Sequence, residues 1–149
     1  MGVYISADDL RLRLSEPTYL GIFDDDNDGT ADATAVAATI RDAEAYVNGY
    51  LRGVYTIPLS PVPDQAKRIS LDVAEMYAYA RNRAFTRGDV VAMQKAVREE
   101  LMDIRKGVIR LDIEGLPEPA ANQGGDVRSG DPDYPEPRDH VFLNGTGWF

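Results

Sequence analysis

The sequence contains no cysteine. Disulfides, zinc–thiolate sites and cysteine nucleophiles are therefore excluded, and the chain needs no oxidising compartment. Histidine is nearly absent as well. His140 is the only one, so a histidine-based triad has almost no material. No run of about 18 or more apolar residues occurs, so no membrane partner is expected. The opening Met1-Gly2-Val3-Tyr4-Ile5-Ser6 is too poor in apolar residues for a signal peptide. Positive charge is scarce. Lys and Arg total 16 against 25 Asp and Glu, a net charge of -9. A general nucleic-acid-binding surface is not expected from that balance. Together these absences predict a soluble protein, intracellular when it is made.

What is present fits one domain with a real core, since the chain has 149 residues. Ser6 to Asp9 has capping-box spacing, with Asp in place of Glu. Leu10 and Leu14 follow at helical spacing, and Pro17 is expected to end this short helix. A connector then runs to Phe23, with Tyr19, Leu20 and Ile22 as core contacts.

The stretch Asp24-Asp25-Asp26-Asn27-Asp28-Gly29-Thr30-Ala31-Asp32 stands out. Acidic side chains fall at loop positions one, three, five and nine, and glycine at six. That is most of an EF-hand calcium loop, whose alternate oxygens wrap a hard cation. Position twelve, which should be a bidentate Glu, is Ala35. Two readings stay open. One is a weak, truncated Ca2+ site held by Asp24, Asp26, Asp28, Thr30 and Asp32. The other is an acidic turn whose charge suits the positive end of the following helix.

That helix carries Val36, Ile40, Ala43, Val47 and Tyr50 or Leu51 on one face, and Arg41, Asp42 and Glu44 on the other. Gly53 is expected to close it. Val54 to Ile57 could form a very short strand, and Pro58, Pro61 and Pro63 then stiffen the link. The longest helix runs from Pro63 or Asp64 to Thr86. It is apolar around much of its circumference, which makes it central. Gly88 and Asp89 break it. A fourth helix, with Val90, Met93, Val97, Leu101 and Ile104 in step, ends near Gly107. Residues 108–114 alternate strictly. Ile109, Leu111 and Ile113 face one way, a half-buried strand that needs a partner in Val54–Ile57 or in another chain. The expected fold is mainly α: about four helices in a bundle, a short β element and an extended C-terminal tail. The predicted division is 1–114 for the helical domain and 115–149 for a Pro/Gly-rich tail with an aromatic end.

Candidate chemistry is thin. Glu99 with Glu100, or Asp72 with Glu75, can be drawn as carboxylate pairs, but such residues on helices are expected to be solvated faces. Arg81, Arg83 and Arg87 could touch phosphate in a channel, or could complement the helix end and pair with acidic neighbours. The tail closes on Val141, Phe142 and Leu143, then Trp148 and Phe149. These apolar residues, with Ile109, Leu111 and Ile113, are the candidate contacts to a neighbouring subunit or partner.

The order of features resembles the Mu-like bacteriophage gp36-type family. The matching residues are Asp24–Asp32, Gly49–Leu51, Tyr55, Pro58, Leu59, Pro61–Pro63, Asp72, Lys106 and Gly107, and the likeness spans roughly Val3 to Leu111. The Gly49–Pro63 block is its most specific part. The resemblance implies a non-enzymatic virion protein, a head–tail connector or adaptor in the neck of the particle. It implies a ring, commonly dodecameric, bound beneath the portal protein. Such a ring extends the channel through which genomic DNA passes unbound and docks a tail-completion or stopper protein. The alternative from another class is a monomeric calcium-binding module.

Overall fold

The computed structural model describes residues 2–82 and 88–113. Five helices follow in order: α1 (Ala7–Leu14), α2 (Glu16–Phe23), α3 (Ala33–Leu51), α4 (Asp64–Arg81) and α5 (Val90–Arg105). Among the described residues no strand occurs. The fold is mainly α, as expected, but with five helices in place of about four, and without the short β element.

Each departure has a local cause. The Ser6–Asp9 capping box does start α1. The helix ends before Pro17, however, at Ser15, whose φ of 67 and ψ of 151 no helix accepts. Pro17 instead sits in the first turn of α2, where its missing N–H costs nothing. The expected connector is thus a helix. Tyr19, Ile22 and Phe23 are its buried residues, and the Tyr19 and Phe23 rings lie 5.2 Å apart one turn on. At the end of α3 the cap is Arg52, not Gly53, and the chain turns with no positive φ there. α4 ends at Arg81, because Asn82 is extended, and the rest of the expected span, 83–86, lies outside the described residues. Its side-chain amide donates to the Gly21 carbonyl at 2.8 Å, drawing the chain towards α2.

α4 touches each of the other four helices, which fits its wide apolar circumference. Ile69, Val73, Ala74 and Ala78 of α4 are buried among Leu10, Phe23, Val47, Leu51, Leu101 and Ile104. The link between α3 and α4 contains two cis prolines, Pro58 and Pro61, and drops Leu59 into the core.

The α5 end explains the missing strand. Gly107, at φ 76, lets Val108 N–H reach the Asp103 carbonyl at 2.9 Å and Gly107 N–H reach Ile104 at 3.0 Å. These paired bonds are a Schellman closure. Beyond it the side chains do alternate: Leu111 is buried, Ile109 and Ile113 are half-buried, Arg110 and Asp112 are exposed. The backbone groups find other partners. Leu111 N–H donates to the Tyr55 hydroxyl at 3.1 Å, and Ile113 N–H to the Leu111 carbonyl at 3.0 Å. The two segments expected to pair as strands therefore meet through a side chain rather than a ladder.

Candidate functional site

The acidic loop is built from its own backbone. Asp24 accepts from Asp28 N–H at 3.0 Å and from Gly29 N–H at 2.9 Å. Asp28 accepts from the N–H and the hydroxyl of Thr30, and both hold its carboxyl below the ordinary aspartate value, the hydroxyl more strongly. Asn27 and Gly29 take positive φ of 61 and 85, the sharp bend that a cation loop places near its sixth position. Asp32 N–H bonds Phe23 carbonyl at 2.8 Å, closing the loop at its base, and Asp32 then serves as the N-cap of α3. Carboxylate oxygens of Asp24, Asp26 and Asp28 come within 4.8 Å of one another. Ala35 lies in the first turn of α3 and has no oxygen to offer from its side chain. The loop thus brings three of its five predicted ligands together.

A second polar cluster was not legible as one. Glu44 and Glu75 are buried, as is Asp72, although each was expected on a solvated face. The Glu44 carboxylate accepts the N–H groups of Val3 at 2.9 Å, Tyr4 at 2.7 Å and Ile5 at 3.1 Å. It fastens the N-terminal segment to α3. The Tyr4 hydroxyl goes on to bond Asn48 and to accept Leu59 N–H, so one ring joins the N-terminus, α3 and the proline link. Arg13 of α1 bonds both Asp72 and Glu75 of α4. Arg68 bonds Asp72 one turn away and Glu100 of α5, which also accepts from Gln65. Asp9 of α1 pairs with Lys67 of α4 at 3.1 Å.

Burial pushes the Asp72 carboxyl up; the Arg13 and Arg68 guanidinium groups pull it down, while Glu75 and Glu100 add to the rise, and the result lies above the ordinary aspartate value. Burial pushes Glu100 up as well, but the bonds from Arg68 and Gln65 outweigh it and its carboxyl sits below the ordinary glutamate value. Asp9, Asp72, Glu75 and Glu100 are each matched to a cation, and Glu44 to three main-chain N–H groups, which is the arrangement of a brace rather than of a free acid or base.

The arginines at the α4 end divide. Arg81 bonds Asp25 of the acidic loop and lies 6.0 Å from the Phe23 ring centre. It therefore complements a neighbour, while Arg83 and Arg87 lie outside the described residues. So do His140, Val141, Phe142, Leu143, Trp148 and Phe149. Of the proposed interface residues that are described, Leu111 is buried in this chain's own core, with Ile109 and Ile113 packed against it. The described surface has several open recesses and exposed apolar side chains. An open groove of about 510 Å³ between α3 and α4 is lined by Ala35, Ala38, Thr39, Asp42, Tyr77, Ala80 and Arg81. Leu12 of α1, 83% exposed, edges an open recess with Asp8, Ser15 and the Arg11–Glu16 pair.

The family model described as Bacteriophage Mu, Gp36 matches residues 4–129. The chain belongs to this family. The Gp36 match covers all five helices and runs on past the described residues, further than the resemblance read from the motifs. No curated protein matches the chain. A phage structural-type family points away from catalysis, in keeping with carboxylates that are spent on braces. Among the described residues no helix is long and apolar enough to cross a membrane.

Proposed function

We propose that this member of the Gp36 family is a structural protein of the phage neck, a head–tail connector that works by assembly. It forms a ring beneath the portal protein, continues the DNA channel and presents a platform to the next tail-completion protein. The observation that carries this reading is the family match over residues 4–129, together with the order of motifs that first suggested it. Supporting it is a small helical body whose polar residues brace helices to one another. The net charge of -9 suits a ring through which DNA must slide without sticking. Electron cryomicroscopy of assembled particles tests it: density for this chain should lie in the neck as a ring against the portal. Density elsewhere, or none, would overturn the reading.

The convergence of Asp24, Asp26 and Asp28 favours a second property, a weak divalent cation clamp in the acidic loop. With no side-chain ligand at position twelve, affinity belongs at the weak end, around 0.1–1 mM. The paired change Asp26→Asn and Asp28→Asn should lower the melting temperature relative to wild type only when millimolar calcium is present. Equal melting curves at high calcium would leave the loop as a turn alone.

A further inference from the structure

We propose that Asp28–Gly29 is a latent site of backbone isomerisation, a bond that converts to an isoaspartyl linkage in the open chain and that hydrogen bonds to Asp24 and from Thr30 protect in the fold. The chemistry belongs to the acidic loop itself and needs neither a ring nor a bound cation.

Asp28–Gly29 is the only Asp–Gly bond in the sequence. In such a bond the glycine nitrogen can attack Cγ of the preceding aspartate, because the glycine has no Cβ to stand in the way. A bond forms between the Gly29 nitrogen and Asp28 Cγ. One carboxyl oxygen leaves as water, carrying the amide proton and one proton from solvent. The five-membered succinimide then takes up water. Opening at the side-chain carbonyl restores aspartate; opening at the main-chain carbonyl leaves the chain running through Asp28 Cβ. Water is the only co-reactant, and the mass returns to its starting value.

The bend of the loop demands this vulnerable dipeptide. Gly29 lies at φ 85, and a Cβ built there meets nothing within 4 Å. The backbone angle, not crowding, therefore requires glycine. Asp28 and Gly29 are both exposed, so water reaches them freely.

Both reacting groups are nevertheless occupied. The nucleophile, Gly29 N–H, donates to Asp24 Oδ2 at 2.9 Å, and Asp28 N–H donates to Asp24 Oδ1 at 3.0 Å. One carboxylate thus fixes the peptide groups on both sides of Asp28. The electrophile is held as well, since Asp28 Oδ1 accepts Thr30 N–H at 2.8 Å and also the Thr30 hydroxyl. Cyclisation needs Cγ and the nitrogen aligned at close range. Turning the Asp28 carboxyl onto the nitrogen gives up the bonds from Thr30, and freeing the nitrogen gives up the bond to Asp24. Each is a bond to a charged acceptor, the stronger kind. Once formed, the isoaspartyl link adds a methylene to the main chain between Asp24 and Asp32. It draws Asp28 away from Asp24 and Asp26 and slackens the closure from Asp32 N–H to the Phe23 carbonyl.

Full-length wild type, Asp24→Ala and Thr30→Val are incubated at neutral pH with a chelator, so that no cation guards the loop. Circular dichroism confirms that the helices are intact in all three. Wild type in concentrated urea sets the unguarded rate. Tryptic peptide 14–41 contains the site. Electron-transfer fragmentation identifies the isoaspartyl form, and its unchanged mass separates it from deamidation at Asn27. Folded wild type should isomerise roughly tenfold more slowly than the unfolded chain. Each variant should move towards the unfolded rate, Asp24→Ala the further of the two. Folded wild type that isomerises as fast as the unfolded chain, or variants that keep the folded wild-type rate, would show that these bonds guard nothing.

Discussion

Glu44 holds three main-chain N–H groups at once, and its burial means water cannot substitute for it. Hydrogen bonds to a charged acceptor contribute about 1.5–3 kcal/mol each, though they do not add fully. Glu44→Ala should therefore destabilise the chain by about 3 kcal/mol, and Glu44→Gln, which keeps one acceptor oxygen, by roughly half that. Urea unfolding followed by circular dichroism reads both values; equal stability of the three proteins would show that the N-terminal segment is held some other way. Ser70 is the opposite case. Its hydroxyl, on a fully buried residue of α4, has no hydrogen-bond partner. Ser70→Ala removes an unsatisfied group and improves helix propensity, so stability should rise by about 1 kcal/mol. A lower denaturant midpoint for this variant would mean that the hydroxyl has an unseen partner.

At the scale of elements, the hinge between α1 and α2 carries a testable strain. Ser15 lies at φ 67 and ψ 151, a region essentially reserved for glycine, where another residue costs about 1–3 kcal/mol. Ser15→Gly should raise stability by roughly 1 kcal/mol after glycine's larger entropy loss is subtracted. Thermal melts check the sign, and a fall would mean the serine hydroxyl contributes more than the backbone costs. The same hinge shows what the sequence could and could not disclose. α3, α4 and α5 were legible because their apolar residues recur at helical steps. α2 was not, because Glu16-Pro17-Thr18-Tyr19-Leu20-Gly21-Ile22-Phe23 is short and apolar on most sides, leaving no period to detect. The alternation at 109–113 was real, yet it reports only which way side chains point. It cannot say whether the backbone finds a strand or a tyrosine hydroxyl. Of the candidate site, the loop positions were readable because their spacing is local. The brace was not, since Arg13 lies 59 residues from Asp72 and no local pattern marks a buried carboxylate.

For the whole molecule, the brace across α1, α4 and α5 makes stability depend on pH in two opposing ways. Asp72 has a folded value above its ordinary one. Its contribution is fully present below the unfolded value and is lost as pH rises through the folded value. Glu100 and Asp9 are lowered. Their contributions are present above the unfolded values and are lost as pH falls through the folded ones. Asp72→Asn removes only the first of these. The melting-temperature advantage of wild type over this variant should therefore be smaller at neutral pH than near pH 4. A difference that stays constant across that interval, measured by scanning calorimetry, would show that Asp72 does not titrate differently in the folded state.

The Glu44 clamp also sets an order in time. Val3, Tyr4 and Ile5 leave the ribosome about 40 residues before the carboxylate that will hold them. At 5–20 residues per second that is a wait of about 2–8 s, longer once α3 must itself form. A segment synthesised well before α3 is thus among the later parts to settle. Until then three donors of the newborn segment are open to water, and to any factor that greets nascent chains at the exit tunnel.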